Sequence, residues 1–399
     1  MTVRGRPASE RTFPIQPGAI PLKNAQRTFV VLTLPALTFL LCFVSPRAEA
    51  RNAKAAPGTV FVKTALGGFI LGYDIDQNGT EGVLSEALAL SDGNFDVAVE
   101  TFDQATGKIL KIVSEQKETK NDFVTLGIFG NSVGLVELEK VKGLFVNQRI
   151  YATLNPLSSN KLTGRWMPPL TKTELILGLA PSQGASTTAI LASQSFTSLV
   201  FSSDVASNTF GPLIKLTDSV FGLGDSPVIG IDTQTNQAVV AASTGGVLDI
   251  PQIAEVDLTS KTVSQFQGLG FGFVNGIAVD SADGIAVTAT EIDFSLEFYD
   301  LATQSGFIVP LKGATNQSQS GGYVAFDPVN KLFLVGQEFS SVAPTGSSIQ
   351  VYDINGNFVE AINGLSLPAS PAYIALNPGT RSGYVIVTPS LTELQAFTY

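Results

Sequence analysis

GIAVDSADGIAVTAT, residues 276–290, decides the fold: an apolar run closed by Asp280, a polar four-residue turn, then a second apolar run. Short runs rich in Val, Ile and Thr, bounded by Asp, Ser and Gly, predict two strands of a hairpin. The pattern recurs as VIGIDTQTNQAVVAAS (228–243), YVAFDPVNKLFLVGQ (323–337) and YIALNPGTRSGYVIVT (373–388). The residues that close the first runs, Asp232, Asp280, Asp327 and Asn377, are spaced by 48, 47 and 50. A second marker follows in each unit, Asp257, Asp300 and Asp353, and the last unit stops at 395–399, QAFTY, in the same place. Four short strands per unit at a near-constant period predict the blades of a β-propeller.

The N-terminal half repeats less regularly. Units can be drawn at 66–119, 120–172 and 173–217, the first with turns at Asn78-Gly79, Asp92-Gly93 and Thr106-Gly107. With the four clearer units, this predicts an all-β protein, a propeller of seven four-stranded blades. The last unit has only three strands, so TVFVK at 59–63 is expected to supply its fourth and close the ring, which removes exposed sheet edges. The rival architecture is a chain of two β-sandwich domains, against which the constant marker spacing argues.

GIAVD at 276–280, preceded by Asn275, resembles the opening strand of NHL-type and YVTN-type propeller repeats, and SIQVYDINGNFV at 348–359 is similar to their closing strands. The resemblance covers about half the chain and concerns the fold pattern. It departs where NHL repeats carry Arg before the third strand, because Ser347-Ser348 stand there. It implies a propeller whose relatives include binding modules, lactonases and lyases, so the fold does not select a function.

Residues 1–50 read differently. A basic stretch with Arg4, Arg6, Arg11, Lys23 and Arg27 precedes an uncharged apolar run at 28–44, and Ala48-Glu49-Ala50 ends in small residues. This is the order of a secretory signal peptide. The alternative is an uncleaved anchor, for which a 17-residue run containing Pro35 is short. The expected organisation is a removed signal peptide at 1–50, a short linker at 51–58 and one propeller domain at 59–399, with no membrane span in the mature chain. The location is then periplasmic or extracellular. Residues 1–50 hold six Lys/Arg and two Asp/Glu of the chain's 24 and 34, so 51–399 carries a net charge of −14. Such a surface repels phosphate backbones and excludes nucleic acid as a partner.

The residue inventory narrows the chemistry. The chain has no His, and its one Cys, Cys42, lies in the signal segment. That removes a Ser-His-Asp triad, an imidazole base, a mature-chain thiol nucleophile and His-ligated zinc. Carboxylates remain, with hard cations bound through oxygen. Asp74-Ile75-Asp76-Gln77-Asn78-Gly79 fits the first half of a calcium loop, with Asp74, Asp76 and Asn78 as candidate ligands for calcium or another divalent cation. Its second half departs, with Gly82 and Ser85 where oxygen ligands belong, and Asn-Gly equally signals a plain hairpin. Glu291 and Glu338 stand at the same place in adjacent units, just after the second strand, with Asp293 close behind the first. Two neighbouring loops can aim such carboxylates at the mouth of an axial channel, to hold a ligand or to act as acid and base. Otherwise they are solvated loop residues. Asp232, Asp280 and Asp327 look like a ring of acids but are expected to cap turns. Trp166-Met167-Pro168-Pro169 reads as an apolar loop.

No catalytic set is recognisable. The expectation is an exported, non-catalytic binding or interaction scaffold for a protein, polysaccharide or small ligand. The alternatives are a metal-dependent hydrolase similar to gluconolactonase-type propellers, and a structural envelope component.

Overall fold

A computed structural model describes residues 60–76, 79–91, 94–119, 122–129, 132–141, 144–154, 165–166, 174–181, 187–194, 197–204, 207, 209–216, 227–243, 250–270, 272–290, 295–313, 321–337, 347–365, 373–386 and 391–399. All of them belong to one compact unit, 43–399. The segment read as a signal peptide, 1–50, lies outside the described residues.

The described residues form an all-β propeller with every strand pairing antiparallel. After β1 (Phe61–Lys63), one sheet is built from β2 (Phe69–Ile75), β3 (Glu81–Ala89), β4 (Phe95–Asp103) and β5 (Ile109–Thr119). The next holds β6 (Asp122–Phe129), β7 (Ser132–Val141), β8 (Leu144–Leu154) and β9 (Arg165–Trp166). A third holds β10 (Glu174–Pro181), β11 (Thr187–Gln194), β12 (Thr197–Asp204), β13 (Thr209–Phe210) and β14 (Ile214–Lys215), the last two both on β12. Then come β15 (Val228–Asp232), β16 (Gln237–Ala242), β17 (Gln252–Asp257) and β18 (Val263–Gln267). They are followed by β19 (Val274–Asp280), β20 (Ile285–Thr290), β21 (Ser295–Asp300) and β22 (Ser305–Pro310). The next sheet is β23 (Gly321–Asp327), β24 (Leu332–Gln337), β25 (Ser347–Asp353) and β26 (Phe358–Leu365). The final sheet runs β27 (Ile374–Asn377), β28 (Ser382–Ile386), β29 (Glu393–Thr398) and then β1, with Phe61 opposite Gln395. Trp166, expected in a loop, instead pairs with Ile150 across β8 and β9.

The first strands of successive sheets touch in chain order from β2 to β27, and β27 touches β2. The apolar clusters lie between neighbouring sheets. Leu191 and Val200 pack on Val240 and Val256; Val287 and Phe298 pack on Phe326 and Phe333; Leu84 and Phe102 pack on Tyr384 and Leu394. A single sheet of four short strands cannot bury both of its faces, so each depends on the next. Close approach fixes one glycine. A Cβ on Gly276 in β19 would lie 2.7 Å from the backbone N of Val324 in β23, so only Gly admits that contact.

The segments that enter the sheets are clamped by polar side chains three residues before the second marker. Gln350 accepts from the Lys312 N–H at 2.9 Å and donates to the Lys312 carbonyl at 2.7 Å. Glu297 accepts from the Leu269 N–H at 3.2 Å. Glu100 accepts from the Ala65 N–H at 3.2 Å. In the first sheet the clamp is doubled, because Glu86 accepts from Leu66 N–H at 2.7 Å and Gly68 N–H at 2.8 Å. The register sets Glu100 opposite Leu84 and Glu86 opposite Ala98, so the two carboxyls are diagonal neighbours on one face. Both are fully buried.

Burial, then the hydrogen bond and negative charge of Glu86, push the Glu100 carboxyl up to about 8, against the pull of the Ala65 N–H. Glu100 therefore holds its proton at neutral pH. The unfolded chain releases that proton near pH ~4.3, so the unfolded state binds fewer protons from there up to about pH 8. Stability is full below the unfolded value and falls as pH rises through this window. Burial also raises the Glu255 carboxyl, against a hydrogen bond from Gln304. The chain has no His, so no imidazole titrates in this window. Urea unfolding from pH 5 to pH 8 should show stability declining, and Glu100→Gln should flatten that slope while leaving the fold intact. An unchanged slope in the variant would refute the buried proton.

Candidate functional site: the axial cavity and its tyrosine floor

The strand-end acids build turns. Asp327 Oδ1 accepts from the N–H groups of Val329 at 2.8 Å and Asn330 at 2.9 Å. Asp232 does the same for Gln234 and Thr235, Asp280 for Ala282, and Asn377 for Thr380. Each marker pairs with the residue five positions on, as in Asp232 with Gln237 and Asp280 with Ile285. The residue four positions on is left-handed in all four turns: Asn236 at φ 56°, Gly284 at 65°, Lys331 at 57° and Arg381 at 51°. Holding a residue with a side chain there costs about 1–2 kcal/mol, which the repeated carboxylate–backbone bonds offset.

These turns are also laced to one another. The Thr233 N–H donates to Ser281 Oγ at 2.9 Å, and the Asn330 side chain donates to the Pro378 carbonyl at 3.2 Å. Lys331 Nζ reaches both oxygens of Asp280 at 2.9 Å and Asp283 at 3.0 Å. Burial works against the charge of Lys331, but these two carboxylates outweigh it and hold its pKa above the usual lysine value.

Between the inner strands lies a cavity of about 310 Å³, lined by residues of β10, β15, β19, β23 and β27. Its turn end carries Thr233, Gln234, Ser281 and Lys331, and its other end carries Tyr323 and Tyr373. The two ends are separated by roughly five residues of strand, about 16 Å at 3.3 Å per residue. The wall between them is cleared by small residues two positions before the markers, Gly230, Ala278 and Ala325. The last sheet has Ala375 at the same position.

In β2 the residue at that position is Asp74. Asp76 is the marker equivalent there, since its N–H bonds to the Glu81 carbonyl five residues on at 3.0 Å. Asp74 is 7% exposed and accepts from its neighbour's Ile75 N–H at 2.8 Å. The Asp74 carboxyl is near enough to Tyr373 to raise its phenol pKa. Around it the rings pack edge to face, Tyr73 on Tyr373 with centroids 5.5 Å apart and Tyr323 on Tyr373 at 5.0 Å. The Tyr73 hydroxyl donates to the Tyr373 carbonyl and accepts from the Ile386 N–H at 3.1 Å. Burial and then the charge of Asp74 push Tyr323 up to about 12, and the same two causes raise Tyr373. The phenols are thus neutral hydrogen-bonding groups around a carboxylate.

Of the residues singled out on the sequence, Asp74 stands at this tyrosine cluster. Asp76 stands at the β2–β3 turn, where its carbonyl accepts from Gln104 Nε2 at 2.8 Å and from the Gly79 N–H at 3.4 Å. Asn78, Glu291, Asp293 and Glu338 lie outside the described residues. Among the described residues, no group of three or more His, Cys, Asp or Glu is gathered as a metal site would need. Sequence reasoning passed over Tyr73, Tyr323 and Tyr373. The signal was present in YVAFD and YIALN, two repeat strands that open with Tyr at the same position.

Asp327 is fully buried, and it also accepts from the Asn330 side chain at 2.7 Å and the Tyr399 hydroxyl at 2.8 Å. Asp327→Ala should therefore cost about 3 kcal/mol in urea unfolding, because buried donors lose their partners. Asp353→Ala, at an exposed turn of the same kind, should cost about 1 kcal/mol. Equal losses would contradict the burial argument. No model of a known protein family matches the chain, and no curated protein sequence is similar to it.

Proposed function

We propose that the chain is an exported, seven-bladed propeller that binds a small organic ligand in its axial cavity without transforming it. The cavity carries the reading: a concave apolar site with a few convergent polar groups, at the low end of the usual ligand-pocket volume. The pairing of β1 with β29 and the contact of β27 with β2 support a ring closed by the N-terminal strand. A propeller of the NHL or YVTN kind is consistent with the strand pattern that opens and closes the later units. Export rests on the N-terminal segment, and exclusion of nucleic acid on the −14 charge of 51–399. Among the described residues no helix is long and apolar enough to cross a membrane. The carboxylates of the described turns and clamps are occupied with backbone N–H groups, which supports binding over hydrolysis.

A thermal-shift screen of small organic acids, amines, alcohols and sugars tests this. A ligand at a hundredfold excess over its Kd stabilises the fold by about 2.7 kcal/mol. Hits should weaken in Gln234→Trp, an exposed position at the turn end of the cavity where a larger side chain leaves the core untouched. Hydrolysis of a lactone or ester that is lost in Glu291→Gln or Glu338→Gln would overturn the reading in favour of a hydrolase.

A further inference from the structure

We propose that the link between the last sheet and the first is a proton-operated latch: Glu86 and Glu100, sharing one proton, hold residues 64–68 and with them β1, and opening of this segment releases that proton.

The segment joins β1, which completes the last sheet, to β2 of the first. β1 is short and meets β29 through Phe61, Val62 and Lys63 alone. Few groups hold the backbone between the two strands. The Ala65 N–H donates to both oxygens of Glu100 at 3.2 Å, and the Leu66 and Gly68 N–H groups donate to Glu86 at 2.7 and 2.8 Å. The Thr64 N–H donates to the Thr392 carbonyl at 3.2 Å, and the Thr64 hydroxyl closes the bend on the Gly68 carbonyl at 3.2 Å. The bend lies hard on β3, since a Cβ on Gly68 would stand 2.5 Å from the Ala87 carbonyl carbon. Two carboxyls thus satisfy the backbone N–H groups of Ala65, Leu66 and Gly68.

The sharing of these donors decides which carboxyl keeps the proton. Glu86 takes two N–H groups and Glu100 splits one, and neither side chain reaches solvent. One divided N–H does not replace the hydration of a carboxylate, so Glu100 stays neutral while the segment is seated. The charged groups nearby do not relieve this. β2 sets Ile70 opposite Glu86, and β5 sets Ile112 opposite Glu100 and Glu115 opposite Ala98. β4 adds Asp96 opposite Leu88 and Asp103 opposite Glu81, towards its two ends. Residues 64–68 carry no charge, and Lys63 and Glu393 are paired with each other at 2.9 Å where β1 meets β29.

Once the segment lifts, water reaches Glu100, and its proton leaves at any pH above the ordinary glutamate value of about 4.3. One proton released per opening makes opening about tenfold more favourable for each pH unit. The rise ends near pH 8, where the seated Glu100 itself ionises. The opening is local. Phe102 packs edge to face on Tyr384 with centroids 5.3 Å apart, so the first and last sheets keep a contact when the segment is out.

Amide hydrogen exchange of the full chain at pH 5.5, 6.5 and 7.5, corrected for the intrinsic rate at each pH, tests the latch. Protection of residues 61–68 should fall about tenfold per pH unit. It should also be insensitive to urea below the unfolding transition, the mark of a local opening. The amides of β24, buried between two sheets, should instead lose protection as urea rises. Glu100→Gln should remove the pH slope at 61–68. If that variant does not fold, the pH and urea dependences of the unaltered chain decide. Protection at 61–68 that is independent of pH overturns the latch, as does a slope that survives in a folded Glu100→Gln. Exchange of 61–68 in step with β24 under urea overturns it too, because the segment would then leave only with the whole fold.

Discussion

A carboxylate at the end of an inner strand, folded back onto the N–H groups of the turn that follows, recurs in sheet after sheet of this propeller. It fixes where the first strand ends, which residue turns left-handed and which residue pairs five positions on. That register decides which residues of the inner strand face one neighbouring sheet and which face the other, as Ile277 packs with Val239 and Ile253 and Ala278 with Val324 and Phe333. A slip of one residue would exchange the two sets. The lacing from Thr233 to Ser281 and from Lys331 to Asp280 joins these turns around the ring. The turn face is therefore held as a unit rather than as separate hairpins.

The second constraint is the polar clamp on the segments between sheets. Glu100, Glu297 and Gln350 stand at the same distance from their strand ends and each captures a backbone N–H of the incoming chain. These are buried groups with high desolvation costs, offset by the backbone N–H groups they bind at partly buried positions. In the first sheet the duplicated clamp, Glu86 beside Glu100, leaves room for only one of two negative charges, which is why burial there retains a proton. The carboxyls of the described clamps are thus spent on architecture, and Gly230, Ala278 and Ala325 stand on the cavity wall.

The C-terminal repeat was legible because its hairpins are local. Apolar runs, Asp at the strand end and a four-residue turn are all within fifteen residues, and they became β15 with β16, β19 with β20, β23 with β24 and β27 with β28. The N-terminal half gave weaker signals because β5, β7 and β8 are longer, and bulges shift their register. Of the candidate site, Asp74 was noticed for a different reason, its fit to half a calcium loop. Its neighbours Tyr323 and Tyr373 are about 250 and 300 residues away in the chain, and only the ring brings them to Asp74.

Composition and repeat period by themselves determined that this is an all-β propeller without histidine chemistry and with Cys42 as its single thiol, because those are properties of residue type and local spacing. Tertiary structure alone decided which acids matter. Asp232, Asp280 and Asp327 are equivalent to Asp76 along the chain and serve the turns, whereas Asp74, two residues earlier, falls on the other side of that division. Asp74 and Asp76 share a face of β2, so position along the strand and ring closure, which brings β27 to β2, separate them, and ring closure cannot be seen in a list of residues.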